Sequence, residues 1–270
     1  MSVPLLQIDA FTTRAFGGNP AAVCLLDSPA EPGWMQQVAS EMNLAETAFV
    51  VRQGPSFGLR WFTPEVEVAL CGHATLASAH ALWETGRVPG AAAIAFETLS
   101  GTLRARQDGD RIAIELPVRP VSPCAAPPAL IAALGATPRV STATSAEGGT
   151  SQGHGNYLLE LEDEAAVRAL APRFHLLRDV PGGVIVTAGG AGKYDFVSRF
   201  FAAPYGINED PVTGSAHCSL APYWAERLGK TSFVAWQASA RGGELHVTLA
   251  GDRVRMAGHA VTVLRGELVV

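Results

Sequence analysis

Residues 60–87 read RWFTPEVEVALCGHATLASAHALWETGR, and residues 199–230 read RFFAAPYGINEDPVTGSAHCSLAPYWAERLGK. Both segments open with Arg, an aromatic residue and Phe. Both cross a proline-containing loop and reach a glycine that starts an Ala-rich apolar run. Each stops at a glycine followed by a base, Gly86-Arg87 in one and Gly229-Lys230 in the other. The likeness continues downstream, where GTLRARQDGDRIAI from Gly101 matches GELHVTLAGDRVRM from Gly243. Gly72 and Gly214, Gly101 and Gly243, and Asp110 and Asp252 are each separated by 142 residues. A fixed offset across a helix, a hairpin and a strand is the mark of an internal repeat. The chain is therefore expected to be an α+β protein of two pseudo-symmetric lobes.

Working outward, LLQIDAF, AAVCLL, ETAFVV, FGLRWF, AIAFET, GTLRAR and RIAIEL read as strands of the first lobe. PGWMQQVASEMN reads as an amphipathic helix, and HATLASAHALWE as a helix stopped by Gly86. In the second lobe AVRALAPRF and SAHCSLAPYWAERLG read as helices, among strands VIVTA, DFVSRFF, FVAWQA, ELHVTL, RVRMAG and AVTVL. The two Ala-rich helices are apolar around most of their circumference, so each should be wrapped by its own sheet. Pro222 lies inside the second one and should kink or loosen it, because proline has no amide donor. The Pro-rich stretch 118–129 is the expected crossover, with an N-terminal lobe over 1–117 and a C-terminal lobe over 130–270. A strand at either extreme end is allowed to cross to the other lobe.

Composition narrows the function. The chain has 270 residues, 48% of them hydrophobic and 17% charged, with a net charge of -5. It carries no dense Lys/Arg run, so neither nucleic acid nor an anionic membrane is an expected partner. No basic segment leads into a signal-like core, and no apolar run is long enough to span a bilayer, so a soluble cytoplasmic protein is expected. Cys24, Cys71, Cys124 and Cys218 form no CxxC pair, which argues against structural zinc. The histidines are scattered, and no GxGxxG or P-loop pattern is present, so neither a metal nor a nucleotide cofactor is expected.

The chemistry is expected in the cleft between the halves. Both central helices begin at a glycine, Gly72-His73 in one and Gly214-Ser215 in the other. Helix N-termini present unpaired amides and partial positive charge, so the matched pair would hold a carboxylate. In a duplicated scaffold the unmatched polar residues are the candidates for specific chemistry. Glu46, beside an apolar strand, has its counterpart near Gly182-Gly183, which offers no acid; it is the candidate general acid/base. His73 stands opposite Ser215 and, at a helix start, is expected to be neutral. Asp210 lies four residues before Gly214, placed either to cap the helix or to bind substrate. Glu67 and Glu209 are expected to be solvated, and His80 to be a packing residue.

FTTRAFGGNPAAV, NLAETAFV, CGHAT and EDPVTGSA, in that order, resemble the PhzF-like phenazine-biosynthesis isomerase family across essentially the whole chain. The resemblance implies a diaminopimelate epimerase-like fold, two lobes each with a barrel-like sheet around a central helix. It implies no cofactor and no metal, a homodimer, and a small carboxylate-bearing substrate. It implies that Glu46 moves a proton from carbon to carbon, and that Gly72, His73, Asp210, Gly214 and Ser215 position substrate. The Gly18-Asn19-Pro20 loop would contribute to the pocket wall. The related amino-acid epimerases use one cysteine per lobe; here Cys71 stands opposite Thr213, whose hydroxyl is far too weak an acid to mirror a thiol. An epimerase using Cys71, its pKa lowered by the helix end, together with Glu46 is the alternative reading. A non-catalytic binding or interaction protein on the same fold is the third.

Overall fold

The computed structural model describes residues 2–90, 92–144 and 155–269. It divides into two compact units, one of Met1–Leu116 with Arg255–Val270, the other Pro117–Val254. The second unit thus stops at Val254 instead of running to 270, and the last strand is the one that crosses over.

The first unit contains β1 (Ser2–Ala10), β2 (Asn19–Leu26), α1 (Pro32–Met42), β3 (Glu46–Gln53), β4 (Ser56–Phe62) and β5 (Glu67–Val68). It continues through α2 (Gly72–Glu84), β6 (Ile94–Thr98), β7 (Gly101–Asp108) and β8 (Arg111–Pro117). The second contains β9 (Val121–Pro123), α3 (Pro128–Leu134), β10 (Val140–Thr144), β11 (Tyr157–Glu160), α4 (Glu164–Ala169) and α5 (Phe174–Leu177). Next come β12 (Val184–Gly189), β13 (Phe196–Ala202), β14 (Ile207–Asp210), α6 (Gly214–Leu228), β15 (Ser232–Gln237) and β16 (Gly243–Ala250), and then β17 (Arg253–Gly258), which starts in the second unit and ends in the first. Finally β18 (Ala260–Val269) pairs antiparallel with β1 along its whole length, with one bulge at Gln7/Ile8. That pairing satisfies an edge of β1 that would otherwise be left open.

The strand connectivity repeats. In the first unit β1–β2 is antiparallel, β2–β3 parallel, β3–β4 antiparallel, β4–β6 parallel and β6–β7 antiparallel, with β5 also on β4. In the second, β10–β11, β11–β12, β12–β13, β13–β15 and β15–β16 follow the same sequence of senses, with β14 on β13. The repeat read from residues 60–87 and 199–230 is a repeat of topology. The connection between β11 and β12 differs from the single helix expected of AVRALAPRF. It forms two short pieces, α4 and α5, because Pro172 stands between them. Asp163 caps α4 by accepting the Ala166 amide at 2.7 Å.

α2 is buried from Gly72 through Ala79 and again at Ala81 and Leu82, and it touches β1, β2, β3, β7 and β18. α6 runs unbroken through Pro222. Proline withdraws the donor that would serve the Cys218 carbonyl one turn back. The Arg119 amide takes its place at 3.1 Å, so the acceptor is satisfied and no break is needed.

Glu67 and Glu209 are not solvated. Arg60 holds Glu67 by two bonds of 2.7 Å, tying β4 to β5. Arg199, itself buried, holds Glu209 at 2.7 and 2.9 Å, tying β13 to β14. Each is a bidentate guanidinium–carboxylate pair at the same place in the repeat. Both clamps sit just upstream of the loop that enters a central helix, and so help to set where that helix starts.

Candidate active site

Glu46 opens β3, in register with Ala21 on the neighbouring β2, two residues beyond Asn19. α2 packs on both strands, which brings its first turn to the same place. His73 is buried, its Nε2 lies 3.2 Å from Glu46 Oε2, and its Nδ1 faces Asn19 Nδ2 at 3.1 Å and Cys71 Sγ at 3.5 Å. The ring therefore bridges the carboxylate and the thiol. Nε2 and Oε2 are close enough to pair electrostatically but are not aligned for a hydrogen bond. Both atoms are buried without a hydrogen-bond partner. Such atoms are costly to leave in a fold unless a ligand completes them.

The neutral ring expected from the helix end does not hold. Burial works against the charged imidazole, but the Cys71 sulfur and the Glu46 carboxylate beside it raise its pKa well above the usual value. The Cys71 thiol is itself pushed up, by burial and then by Glu46, so its expected lowering by the helix end is overturned as well. A thiol held protonated leaves Glu46 as the lasting anionic neighbour of His73. Cys71 is the residue preceding α2, and its side chain makes no capping bond there.

The asymmetry of the repeat has a steric basis. Thr47 pairs with Phe62, and Val184 pairs with Phe201, so Glu46 corresponds to Gly183. A Cβ on Gly183 would lie 2.5 Å from Phe200 and 2.9 Å from Asn156 Oδ1. No acid fits where the second unit would need one.

In the second unit Asp210 ends β14, and its Oδ2 accepts the Thr213 hydroxyl at 2.5 Å. Sequence reading missed the residue that organises this turn. Gln237, fully buried at the end of β15, accepts the Thr213 amide at 2.8 Å. Its Nε2 donates to the Asp210 carbonyl at 2.8 Å and to Thr213 Oγ1 at 3.1 Å. Nothing in the local sequence FVAWQA marks that glutamine, beyond a polar residue ending an apolar strand. Gly214 is buried and Ser215 half-buried at the start of α6, and the Thr213 side chain makes no capping bond.

One turn into each central helix a side chain reaches back to the residue before it. Thr75 Oγ1 donates to the Cys71 carbonyl at 2.5 Å, and His217 Nδ1 to the Thr213 carbonyl at 2.8 Å. His217 is fully buried, and burial lowers its pKa to about 4. The unfolded chain protonates this ring near the ordinary 6.5 and the fold only near 4. The contribution is thus intact above pH 6.5 and lost as pH falls toward 4, by about 3 kcal/mol. Urea unfolding from pH 7 to 4 should show this loss in the native sequence and not in His217→Gln; equal pH slopes would refute the assignment.

With this geometry in view, the comparisons with known proteins are decisive. The family profile described as phenazine biosynthesis-like protein, PhzC-PhzF, matches residues 8–266. The chain belongs to this family. It is 50% identical over 269 residues to an uncharacterized isomerase of Pseudomonas aeruginosa, covering 99% of each chain. It is 47% identical to an uncharacterized isomerase of Halalkalibacterium halodurans, covering 100% of each. A PhzF-family crystal structure from Enterococcus faecalis superposes with a TM-score of 0.91 at 40% identity, over 100% of both chains. This PhzF-family member is an isomerase with a diaminopimelate epimerase-like α+β fold. Among its described residues no helix is long and apolar enough to cross a membrane.

Proposed function

We propose that this isomerase moves a proton between two carbons of a small carboxylate-bearing substrate, without a cofactor, using Glu46 as the acid/base. The observation that carries this reading is the Glu46–His73 pair, with two buried polar atoms 3.2 Å apart that lack hydrogen-bond partners. The Glu46 carboxylate takes a proton from a substrate carbon as the C–H electrons move into the adjacent π-system. The resulting carboxylic acid exchanges its proton with solvent and delivers one to another carbon, restoring the base. His73, charged beside Glu46, pairs with that carboxylate and offers an N–H to the substrate. The first-turn amides at Gly72, unused by the side chain of Cys71, suit a carboxylate. Asn19 completes the substrate-binding set in this unit.

A two-thiol racemase finds little support. Thr213 occupies the second thiol position and commits its hydroxyl to Asp210. The remaining rival, Cys71 acting with Glu46, rests on the 3.5 Å contact between Sγ and His73 Nδ1. Incubating the enzyme in D2O with a panel of small unsaturated carboxylates and reading deuterium wash-in by NMR separates the two. Cys71→Ser should retain wash-in, with a loss well below the ~10²-fold of a missing acid/base. Loss of wash-in from Cys71→Ser alone would move the chemistry to the thiol.

A further inference from the structure

Glu46, Cys71 and His73 each offer one ligand atom, a carboxylate oxygen, a sulfur and a ring nitrogen, and these atoms lie within 4.8 Å of one another. Sequence spacing hid this set, because Glu46 comes from β3 and the other two from the start of α2. We propose that the trio is a binding site for a soft divalent cation of the zinc class, held by Cys71 Sγ, a His73 ring nitrogen and a Glu46 carboxylate oxygen with water as the fourth ligand.

The dimensions agree with that assignment. Zinc bonds of about 2.3 Å to sulfur and about 2.0–2.1 Å to nitrogen place the two ligands about 3.5 Å apart in a tetrahedron. Cys71 Sγ lies 3.5 Å from His73 Nδ1 and Glu46 Oε2 lies 3.2 Å from His73 Nε2. Glu46 brings a buried oxygen with no hydrogen-bond partner, and the side chains of Glu46 and His73 are 16% and 3% exposed. Thiolate and imidazole select zinc, cobalt or cadmium over magnesium or calcium. Three protein ligands leave the fourth position of a tetrahedron to water. A thiol and an imidazolium must each release a proton to become ligands, so binding must tighten as pH rises. The bound ion would occupy Glu46 and His73, and on the reading of those residues as the proton-transfer pair it would be an inhibitor.

Cobalt(II) titration of the chelator-treated full-length protein tests this directly. The expected spectrum combines intense tetrahedral d–d bands with a sulfur-to-cobalt charge-transfer band, both abolished by competing zinc. Cys71→Ser should remove the charge-transfer band and weaken zinc at least as much as the ~10–100-fold typical of losing an outer-shell partner. Glu46→Gln should keep that band and weaken zinc by a similar factor, which keeps the test decisive if the serine variant does not fold. Cys124→Ser should change neither. Absence of the charge-transfer band in the native protein, its persistence in Cys71→Ser, or unchanged zinc affinity in Glu46→Gln would overturn the proposal. None of these readouts uses turnover, so a negative result leaves the isomerase reading standing.

Discussion

Glu46→Gln is expected to lower kcat by about 10²–10⁴-fold, the usual contribution of a positioned acid/base. The amide keeps the shape of the side chain at the start of β3 and cannot carry a proton through the cycle. Substrate binding should change far less, because the groups proposed to hold the substrate are other residues, Asn19 on β2 and Gly72 and His73 on α2. His73 should report the change. With the Glu46 charge gone, the ring keeps burial and the Cys71 sulfur but loses one upward push, and its pKa should fall. NMR titration of His73 in both proteins checks this, with a clear drop expected in the variant. A His73 pKa unmoved by the substitution would mean that Glu46 is not its electrostatic partner. A kcat close to the native value would remove Glu46 from the chemistry.

The second large effect is on stability. Gly18 follows the loop between β1 and β2 and immediately precedes Asn19. Its φ is +60°, and a Cβ there would lie 2.0 Å from the Ala10 carbonyl oxygen and 3.0 Å from Thr12 Cγ2. The obstacle at Ala10 is backbone at the end of β1, which cannot swing away. Gly18→Ala should therefore cost about 3 kcal/mol or more, combining positive-φ strain with overpacking. A fall of roughly 10 °C in thermal midpoint would accompany it. Gly54→Ala supplies the control, since it shares a φ of +60° but has open space around the added carbon. It should cost only the strain, about 1 kcal/mol. Equal losses at the two glycines would contradict the steric account. Asn19 should also shift away from His73 in Gly18→Ala, coupling this loop to the proposed site.

Much of this architecture was legible in the residues themselves. The fixed offset marked the duplication, the apolar runs marked α2 and α6, and the unmatched Glu46 and His73 marked the unusual half. What could not be read was partner identity. Arg60–Glu67 and Arg199–Glu209 depend on strand register, which apolar alternation does not specify for polar positions. Gln237 acts through three hydrogen bonds to a turn formed by residues 210–213, more than twenty positions earlier. The charge on His73 could not be read either. A helix end argues for a neutral ring, and only the 3.2 Å approach of Glu46 from another strand reverses that. Pro222 reads as a kink or a loosening because the Arg119 amide that replaces its missing donor lies outside the helix. Local signals gave the elements, whereas the site's electrostatics come from contacts between elements.

The measurement that bears most directly on the central claim follows the proton itself. Once a substrate is found, native enzyme and Glu46→Gln are each incubated with it in D2O, and the product is analysed for the position of deuterium. The account predicts that native enzyme places deuterium at the carbon that receives the proton, and that Glu46→Gln forms product and exchanges the substrate hydrogen at least about 10²-fold more slowly. Exchange at the substrate carbon by Glu46→Gln at the native rate would assign proton abstraction to another group and contradict the account.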